Sequence, residues 1–184
     1  MNHGFMPLLR LAALLSLLLV SFWFFLPSLS KSLFWPVFAI IATAWFGLQY
    51  GKGRRDKESL KKALKIGILL VAASVLVNYV FGYLIGAYII EPSYSLFFVL
   101  GNPVELLVAS LLGGTGWFLY VPKRFDKIYS ILDILMLGFF GMMTEIMLIA
   151  NGLLTYVTVD SLNAFLTYAM LWAVLHLVYY KLLK

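Results

Sequence analysis

Long runs of apolar residues recur from one end of this chain to the other, separated by short polar or charged segments. A helix of about 20 apolar residues crosses the hydrocarbon core of a bilayer, which is about 30 Å thick. Of the 184 residues, 63% are hydrophobic and only 12% are charged. Soluble domains carry about 25% charged residues. The sequence therefore predicts an all-α integral membrane protein.

The apolar runs divide into six transmembrane helices, which we expect to form a single domain over residues 1–184. Charged loops at 51–65 and 121–127 separate three predicted helical hairpins. The first run is too long for a signal peptide and no small-residue cleavage site follows it, so we expect it to be retained. The predicted spans are about 7–28, 33–50, 66–90, 96–120, 128–153 and 160–181.

The basic residues predict the orientation of these six spans. If both termini are on the same side, every Lys and Arg except Lys31 lies on that side. Basic residues beside spans are enriched on the cytoplasmic face. We therefore expect a multi-pass protein of the cell membrane with both termini cytoplasmic, and we interpret the basic loop at 51–65 as a topology signal.

The composition and motifs exclude several classes of protein. Without cysteine there is no disulfide, thiolate metal site or cysteine nucleophile. The net charge of +6 comes from residues flanking the spans, which indicates contact with lipid headgroups and not with nucleic acid. We find no phosphate-binding loop, no nucleophile elbow and no metal-ligand spacing. The sequence predicts no cofactor and no metal.

Polar residues share helical faces with small residues in three of the predicted spans. Positions three or four apart lie on one face of a helix. Small residues there let membrane helices approach closely, so we expect these faces to pack against neighbouring helices. The faces are Ser74, Asn78, Gly82 and Gly86 in the third span, Asn102, Glu105, Ala109 and Gly113 in the fourth, and Gly138, Gly141, Glu145 and Gly152 in the fifth.

Two glutamates are the main candidates for chemistry. Glu105 and Glu145 are predicted at similar depth, roughly 12–14 Å below the outer boundary at 1.5 Å per residue. A charge in the bilayer centre costs at least about 2.5–3.5 kcal/mol. We therefore expect at least one glutamate to be protonated, or the two to share a proton, and a protonated acid in a dry site is a candidate proton donor. Asn78, Asn102 and Asn151 are candidate substrate-binding residues.

Three further polar residues have structural interpretations. Pro103 removes a backbone donor inside the fourth span, and we expect a kink there. Asp133 lies near the inner end of its span, where an ion pair with Lys127 or Arg124 is expected. His176 has no second histidine at helical spacing, so an interhelical hydrogen bond is the expected role.

Two segments resemble each other and suggest repeated hairpins. Both run from a polar residue through an apolar stretch, a Gly and a Tyr to an acidic residue next to a Ser. Such similarity is weak in apolar sequence of low diversity. The segments are NYVFGYLIGAYIIEPS at 78–93 and EIMLIANGLLTYVTVDS at 145–161.

The stretch GAYIIEPSYSLFFVLGNPVELLV, within residues 78–120, resembles the membrane-embedded lycopene cyclase domain family. That family has a Gly-aromatic-Pro-Tyr run followed by a Pro-x-Glu-Glu motif at the start of a span. The resemblance implies an all-helical membrane fold and acid-initiated cyclisation of an isoprenoid, with Glu105 as a site residue. The second acid of the motif is Leu106 here. Corresponding positions are held by Gly86, Tyr88, Pro92, Tyr94, Pro103 and Glu105.

Three functions agree with these features. The first is an intramembrane enzyme that isomerises or cyclises an apolar isoprenoid- or lipid-like molecule, with Glu105 as proton donor and Glu145 as its paired carboxylate. The second is a proton-coupled transporter of small molecules, because intramembrane carboxylates near a broken helix form coupling-ion sites. The third is a non-catalytic membrane subunit or scaffold. The expected partners are membrane lipids, a lipophilic small molecule, and either another membrane protein or a second copy of the chain.

Overall fold

The computed structural model describes residues 31–52 and 56–183. The helices in this part of the chain are α1 (Phe34–Lys52), α2 (Lys57–Val77), α3 (Val104–Tyr120), α4 (Lys127–Ala150) and α5 (Ser161–Val178). The strands are β1 (Tyr88–Ile90), β2 (Phe98–Val99), β3 (Asn102–Pro103) and β4 (Leu154–Tyr156). Helix α2 continues as a π-helix over Asn78–Leu84, and α5 continues as one over Tyr179–Leu183. The predicted span at 7–28 lies outside the described residues.

Three of these helices are long and apolar enough to cross a membrane. They are Lys57–Leu84, Lys127–Ala150 and Ser161–Lys181. The apolar helices Phe34–Gly47 and Val104–Tyr120 are shorter. The predicted helical, apolar character is confirmed for the described part of the chain.

Aspartate residues fix where three helices begin. Asp56, Asp126 and Asp160 precede α2, α4 and α5, and each carboxylate accepts a backbone N–H of the first helical turn. Such a cap satisfies a donor that has no partner within the helix. Because Asp56 caps α2, this helix starts at Lys57 and not at 66, so its first turns consist of residues predicted as a charged loop.

The segment between α2 and α3 differs most from the prediction. Gly86 has a φ of +68°, and the chain leaves the helix there to form β1, where helix was predicted to 90. A two-strand hairpin, β2–β3, then precedes α3, where a helix from 96 was predicted. The predicted kink at Pro103 is wrong, because Pro103 is the N-cap of α3. Proline disfavours helical geometry in the residue before it and donates no N–H, so the helix begins after it.

The described residues divide into two compact units. The first unit contains residues 31–121 and 153–158, with α1 to α3 and all four strands. The second unit contains residues 122–152 and 159–183, with α4 and α5.

In the first unit, α3 packs against both α1 and α2. A Cβ on Gly114 would lie 3.1 Å from the Cα of Gly67, so the backbones of α2 and α3 approach closely at that point. Further along, the hydroxyls of Ser74 and Ser110 are 3.1 Å apart. From Gly67 to Ser74 the chain advances along α2 while the contacting residue moves back along α3 from Gly114 to Ser110, so the two helices are antiparallel. Small residues at the interface permit this close packing.

In the second unit, two glycines of α4 face α5. A Cβ on Gly138 would lie 3.2 Å from the Cβ of Ala169, and one on Gly141 would overlap the ring of Tyr168. These contacts agree with the helix-packing face predicted for this span. Gly152 lies beyond the end of α4 and has a φ of +63°.

The two similar sequence segments meet as a strand pair. Strand β1 pairs antiparallel with β4, with Tyr88 opposite Tyr156 and Ile90 opposite Leu154. Each strand follows a helix and a glycine with positive φ, Gly86 before β1 and Gly152 before β4. The local structure is thus similar in both segments, and a repeat of whole hairpins stays a prediction.

Candidate functional site

Three polar side chains of the first unit form one hydrogen-bonded chain. The hydroxyl of Tyr88 donates to the Asn78 side-chain oxygen, and the Asn78 amide nitrogen donates to the Asn102 side-chain oxygen. The Asn102 amide nitrogen donates to the carbonyl of Leu100 at 2.9 Å. Both amides therefore use an oxygen as acceptor and a nitrogen as donor. Asn102 is fully buried, and a buried amide needs such partners.

Local structure explains how these residues meet. Asn78 is the first residue of the π-helical segment, and Gly82 lies one turn further on. A Cβ on Gly82 would lie 3.2 Å from the Tyr88 ring, so the glycine makes room for it. Short π-helical segments are frequent at functional sites. The structure brings together two predicted site residues, Asn78 and Asn102, and adds Tyr88.

Glu105 lies in the first turn of α3 and is only 4% exposed. Its two carboxyl oxygens contact the segment before the β2–β3 hairpin. The Ser95 Oγ lies 2.6 Å from Oε2, and the backbone N–H of Leu96 donates to Oε1 at 2.8 Å. A carboxylate also interacts favourably with the N-terminal end of a helix dipole. The sequence placed Glu105 in the middle of a span, and the structure places it at a helix start.

The hydrogen bonds of Ser95 accommodate both protonation states of Glu105. Its Oγ lies 2.9 Å from the carbonyl oxygen of Phe97 as well as 2.6 Å from the Glu105 carboxyl, but a hydroxyl has one proton to donate. If Glu105 is ionised, Ser95 donates to it. If Glu105 is protonated, its O–H donates to Ser95, and Ser95 donates to Phe97. The contact between Ser95 and Glu105 is therefore compatible with either form of the carboxyl group.

The other two predicted site residues belong to the second unit. Glu145, on α4, accepts a hydrogen bond from the hydroxyl of Tyr168 at 2.8 Å. Asn151 follows the last residue of α4, and its side-chain nitrogen donates to the carbonyl of Met147 at 2.8 Å. This contact gives Asn151 a capping role at the helix end. The predicted pairing of Glu105 with Glu145 stays a prediction.

A buried aspartate–histidine pair occupies the interior of the second unit. Asp133 Oδ2 and His176 Nε2 are 2.9 Å apart, and both side chains are almost completely buried. The Tyr180 ring stacks on the histidine at 6.0 Å, and its hydroxyl donates to the carbonyl of Pro122 at 3.0 Å. The expected interhelical hydrogen bond of His176 is present. Its partner is Asp133, for which the sequence predicted an ion pair with Lys127 or Arg124.

Sequence reasoning missed Ser95 and the chemical contact of Tyr88. Ser95 stands in a turn-forming segment and Tyr88 in a predicted helix, so neither was placed next to the asparagines or the glutamate. The sequence contains one indication of this contact: Ser95 and Glu105 are close in sequence with Pro103 between them, and a hairpin over this segment would bring their side chains together.

No group of three His, Asp or Glu residues in the described ranges, 31–52 and 56–183, could hold a metal ion. No protein-family model, no curated protein and no solved structure matches the chain. The resemblance to the lycopene cyclase domain therefore stays a prediction from the sequence.

Proposed function

We propose that this chain is a multi-pass protein of the cell membrane that handles an apolar, isoprenoid- or lipid-like molecule at the site around Glu105. The proposed topology has six spans and cytoplasmic termini. Three helices of sufficient length and apolarity support the membrane placement. Exposed lysines at the start of α2, Lys57, Lys61 and Lys65, support the orientation.

The observation that carries the proposed chemistry is the contact of Glu105 with Ser95. Glu105 is almost fully buried, and its partner can either donate to it or accept from it. A general acid exists in a protonated and an ionised form during the reaction, and a partner that can both accept and donate is compatible with both forms. Asn78, Asn102 and Tyr88 are the groups that orient a substrate in the same unit.

The proposed reaction is acid-initiated isomerisation or cyclisation. The Glu105 O–H bond breaks and its proton adds to a carbon–carbon double bond, which leaves a carbocation on the neighbouring carbon. The cation is quenched when a second double bond attacks it and a proton is then lost to the Glu105 carboxylate. The acid is thereby regenerated, and the product has the same mass as the substrate. A site with little water protects the cation from hydration.

A comparison of membranes that contain the wild-type protein with membranes that contain the Glu105→Gln variant tests this proposal. They are incubated with a linear isoprenoid alcohol or a linear polyene, and products of unchanged mass are separated by chromatography. The proposal predicts a new isomer with wild type and at least about a hundredfold less with Glu105→Gln, the size typical of a lost general acid. Equal turnover by the two proteins would contradict it.

Glu91→Gln is the matched control for that experiment. Glu91 is a carboxylate of the same unit, and hydrogen bonds from the Ser93 hydroxyl and backbone N–H lower its pKa. It is therefore ionised at neutral pH and has no proton to give. Its replacement should leave isomer formation unchanged.

A second candidate function is proton-coupled transport, which the Asp133–His176 pair favours. A buried carboxylate in contact with a histidine, both on helices long enough to span a membrane, is typical of proton pathways. Under this alternative, Asp133→Asn removes the pH dependence of uptake or efflux, and Glu105→Gln does not. Under the proposed enzyme function, isomer formation depends on Glu105.

The third alternative, a non-catalytic subunit, is favoured by the structural contacts of Glu105. Its hydrogen bonds to Ser95 and Leu96 hold the segment before the hairpin in place. For a scaffold, Glu105→Gln changes neither lipid processing nor transport, and a partner protein co-purifies under mild detergent conditions.

A further inference from the structure

The two residues that lead into the β2–β3 hairpin, and the turn of this hairpin, present apolar side chains to their surroundings. Leu96 is 76% exposed, Phe97 60% and Leu100 66%. We call residues 96–101 the apolar hairpin. An exposed loop on the surface of a soluble protein normally carries polar residues at such positions.

The turn of the apolar hairpin is chemically unusual. Leu100 has a φ of +50° and Gly101 a φ of +77°. Two-residue hairpin turns of this kind strongly prefer Asn-Gly or Asp-Gly, because the polar side chain tolerates positive φ. At position 100 a leucine is disfavoured because φ is positive and, in water, also because its apolar side chain is exposed. An apolar environment removes the second disadvantage.

A hydrogen bond fixes the level of the apolar hairpin along α2. Asn102, in β3 and directly after the apolar hairpin, accepts a hydrogen bond from the Asn78 side chain. The uncharged stretch of this helix runs from Ile66 to Leu84, which is roughly 28 Å at 1.5 Å per residue and matches the bilayer core. Asn78 lies six residues before Leu84, so the base of the hairpin lies about 7–9 Å inside that stretch.

The backbone of the hairpin has partners suited to an apolar environment. The Leu96 N–H donates to Glu105, the Leu100 carbonyl accepts from the Asn102 side chain at 2.9 Å, and the Val104 N–H donates to the Phe97 carbonyl at 3.1 Å. Non-helical backbone at membrane depth is tolerated only where it is buried in protein or lines a water-filled cavity. Asn102 and Glu105 satisfy part of this backbone from within the protein.

We propose that the apolar hairpin lies within the hydrocarbon core of the bilayer and contacts lipid acyl chains. The inference rests on the membrane placement in the proposed function, and it is independent of the chemistry assigned to Glu105. It places the exposed side chains of residues 96–101 against acyl chains, while the backbone of this segment, between α2 and α3, makes its hydrogen bonds within the protein.

Nitroxide labelling of single cysteines tests this inference in the full-length chain. The chain has no cysteine of its own, so Leu100→Cys and Leu96→Cys each give one labelled position. The proteins are placed in vesicles of phosphatidylcholine and phosphatidylglycerol, and collisions of the label with oxygen and with a water-soluble nickel chelate are compared. Ser93→Cys, on an exposed turn of the same unit, is the aqueous control. Leu76→Cys, 63% exposed near the middle of the uncharged stretch, is the membrane control.

The inference predicts that Leu100→Cys and Leu96→Cys match Leu76→Cys, with an oxygen-to-nickel collision ratio several-fold above that of Ser93→Cys. If Leu76→Cys gives the membrane signal and both hairpin positions give the aqueous one, the inference is wrong and the membrane placement stands. If Leu76→Cys is itself aqueous, the membrane placement is wrong too. Use of two hairpin positions guards against one variant that misfolds, which circular dichroism identifies.

Discussion

At the scale of single residues, the buried polar groups of the candidate site can be related to the groups that they contact. Asn102 links Asn78 to the Leu100 carbonyl, and Glu105 holds Ser95 and Leu96. A buried polar group without a partner costs about 1–3 kcal/mol. These residues therefore contribute to stability as well as to the proposed site, and the two roles need separate measurements.

The Asp133–His176 contact gives a prediction at this scale. Removal of one partner from a buried pair costs about 3–5 kcal/mol, because the other polar group stays buried. Asp133→Ala and His176→Ala should each lower the free energy of unfolding, and the double variant should lose less than the sum. Unfolding of the protein in detergent, followed by circular dichroism, measures the cycle.

Asp160→Ala is the control for the Asp133 variants. Asp160 is exposed and only caps α5, and loss of such a cap costs about 0.5–2 kcal/mol. Additive losses in the Asp133–His176 cycle would show that this contact does not stabilise the second unit.

At the scale of helices and strands, hydropathy predicted some elements well and others poorly. The predicted spans 33–50, 128–153 and 160–181 lie close to α1, α4 and α5, because uninterrupted apolar runs between polar segments leave few alternatives to a helix. The predicted helix was wrong at 86–90 and at 96–103, since short apolar strands and apolar helices have the same composition. Pro103 was interpreted as a kink within a helix, and it marks the beginning of one.

The prediction of helix where the chain forms strands also explains which contacts of the candidate site were not predicted. Asn78, Asn102 and Glu105 stood out because polar residues are rare in apolar sequence. Tyr88 belongs to a strand that the helical interpretation did not contain, and Ser95 ends a turn whose contact with Glu105 that interpretation did not predict. Contacts across a hairpin depend on register, and the sequence pattern did not specify one.

Two glycines give a prediction at the scale of helix packing. A Cβ on Gly141 would overlap the Tyr168 ring, whereas nothing in the described part of the chain lies within 4 Å of a Cβ on Gly113. Gly141→Ala should therefore lower the free energy of unfolding by about 1–3 kcal/mol through overpacking. Gly113→Ala should be neutral or stabilising by up to about 1 kcal/mol, as helix propensity favours alanine.

The two glycine variants test each other when thermal unfolding is measured in the same detergent. Both replace a helical glycine by alanine, so the contrast isolates the contact with Tyr168. Equal effects at Gly113 and Gly141 would contradict the packing of α4 on α5 at this position.

At the scale of the whole molecule, the described part of the chain combines long apolar helices with a few buried polar groups. In the first unit, Asn102 and Glu105 are buried, and Asn102 accepts a hydrogen bond from Asn78. A transporter, a scaffold and an isomerase all use such an architecture. Only the isomerase needs a proton that moves from the protein onto carbon.

The most direct test of that claim is incorporation of deuterium. Wild-type membranes and Glu105→Gln membranes are incubated with a linear isoprenoid in D₂O, and the isomer is analysed by mass spectrometry. Because the exchangeable proton of Glu105 is then a deuteron, we predict a wild-type product with one added deuterium and none from the variant. The same deuterated isomer formed at the same rate by both proteins, or no isomer from wild type with any isoprenoid tested, would contradict the proposal.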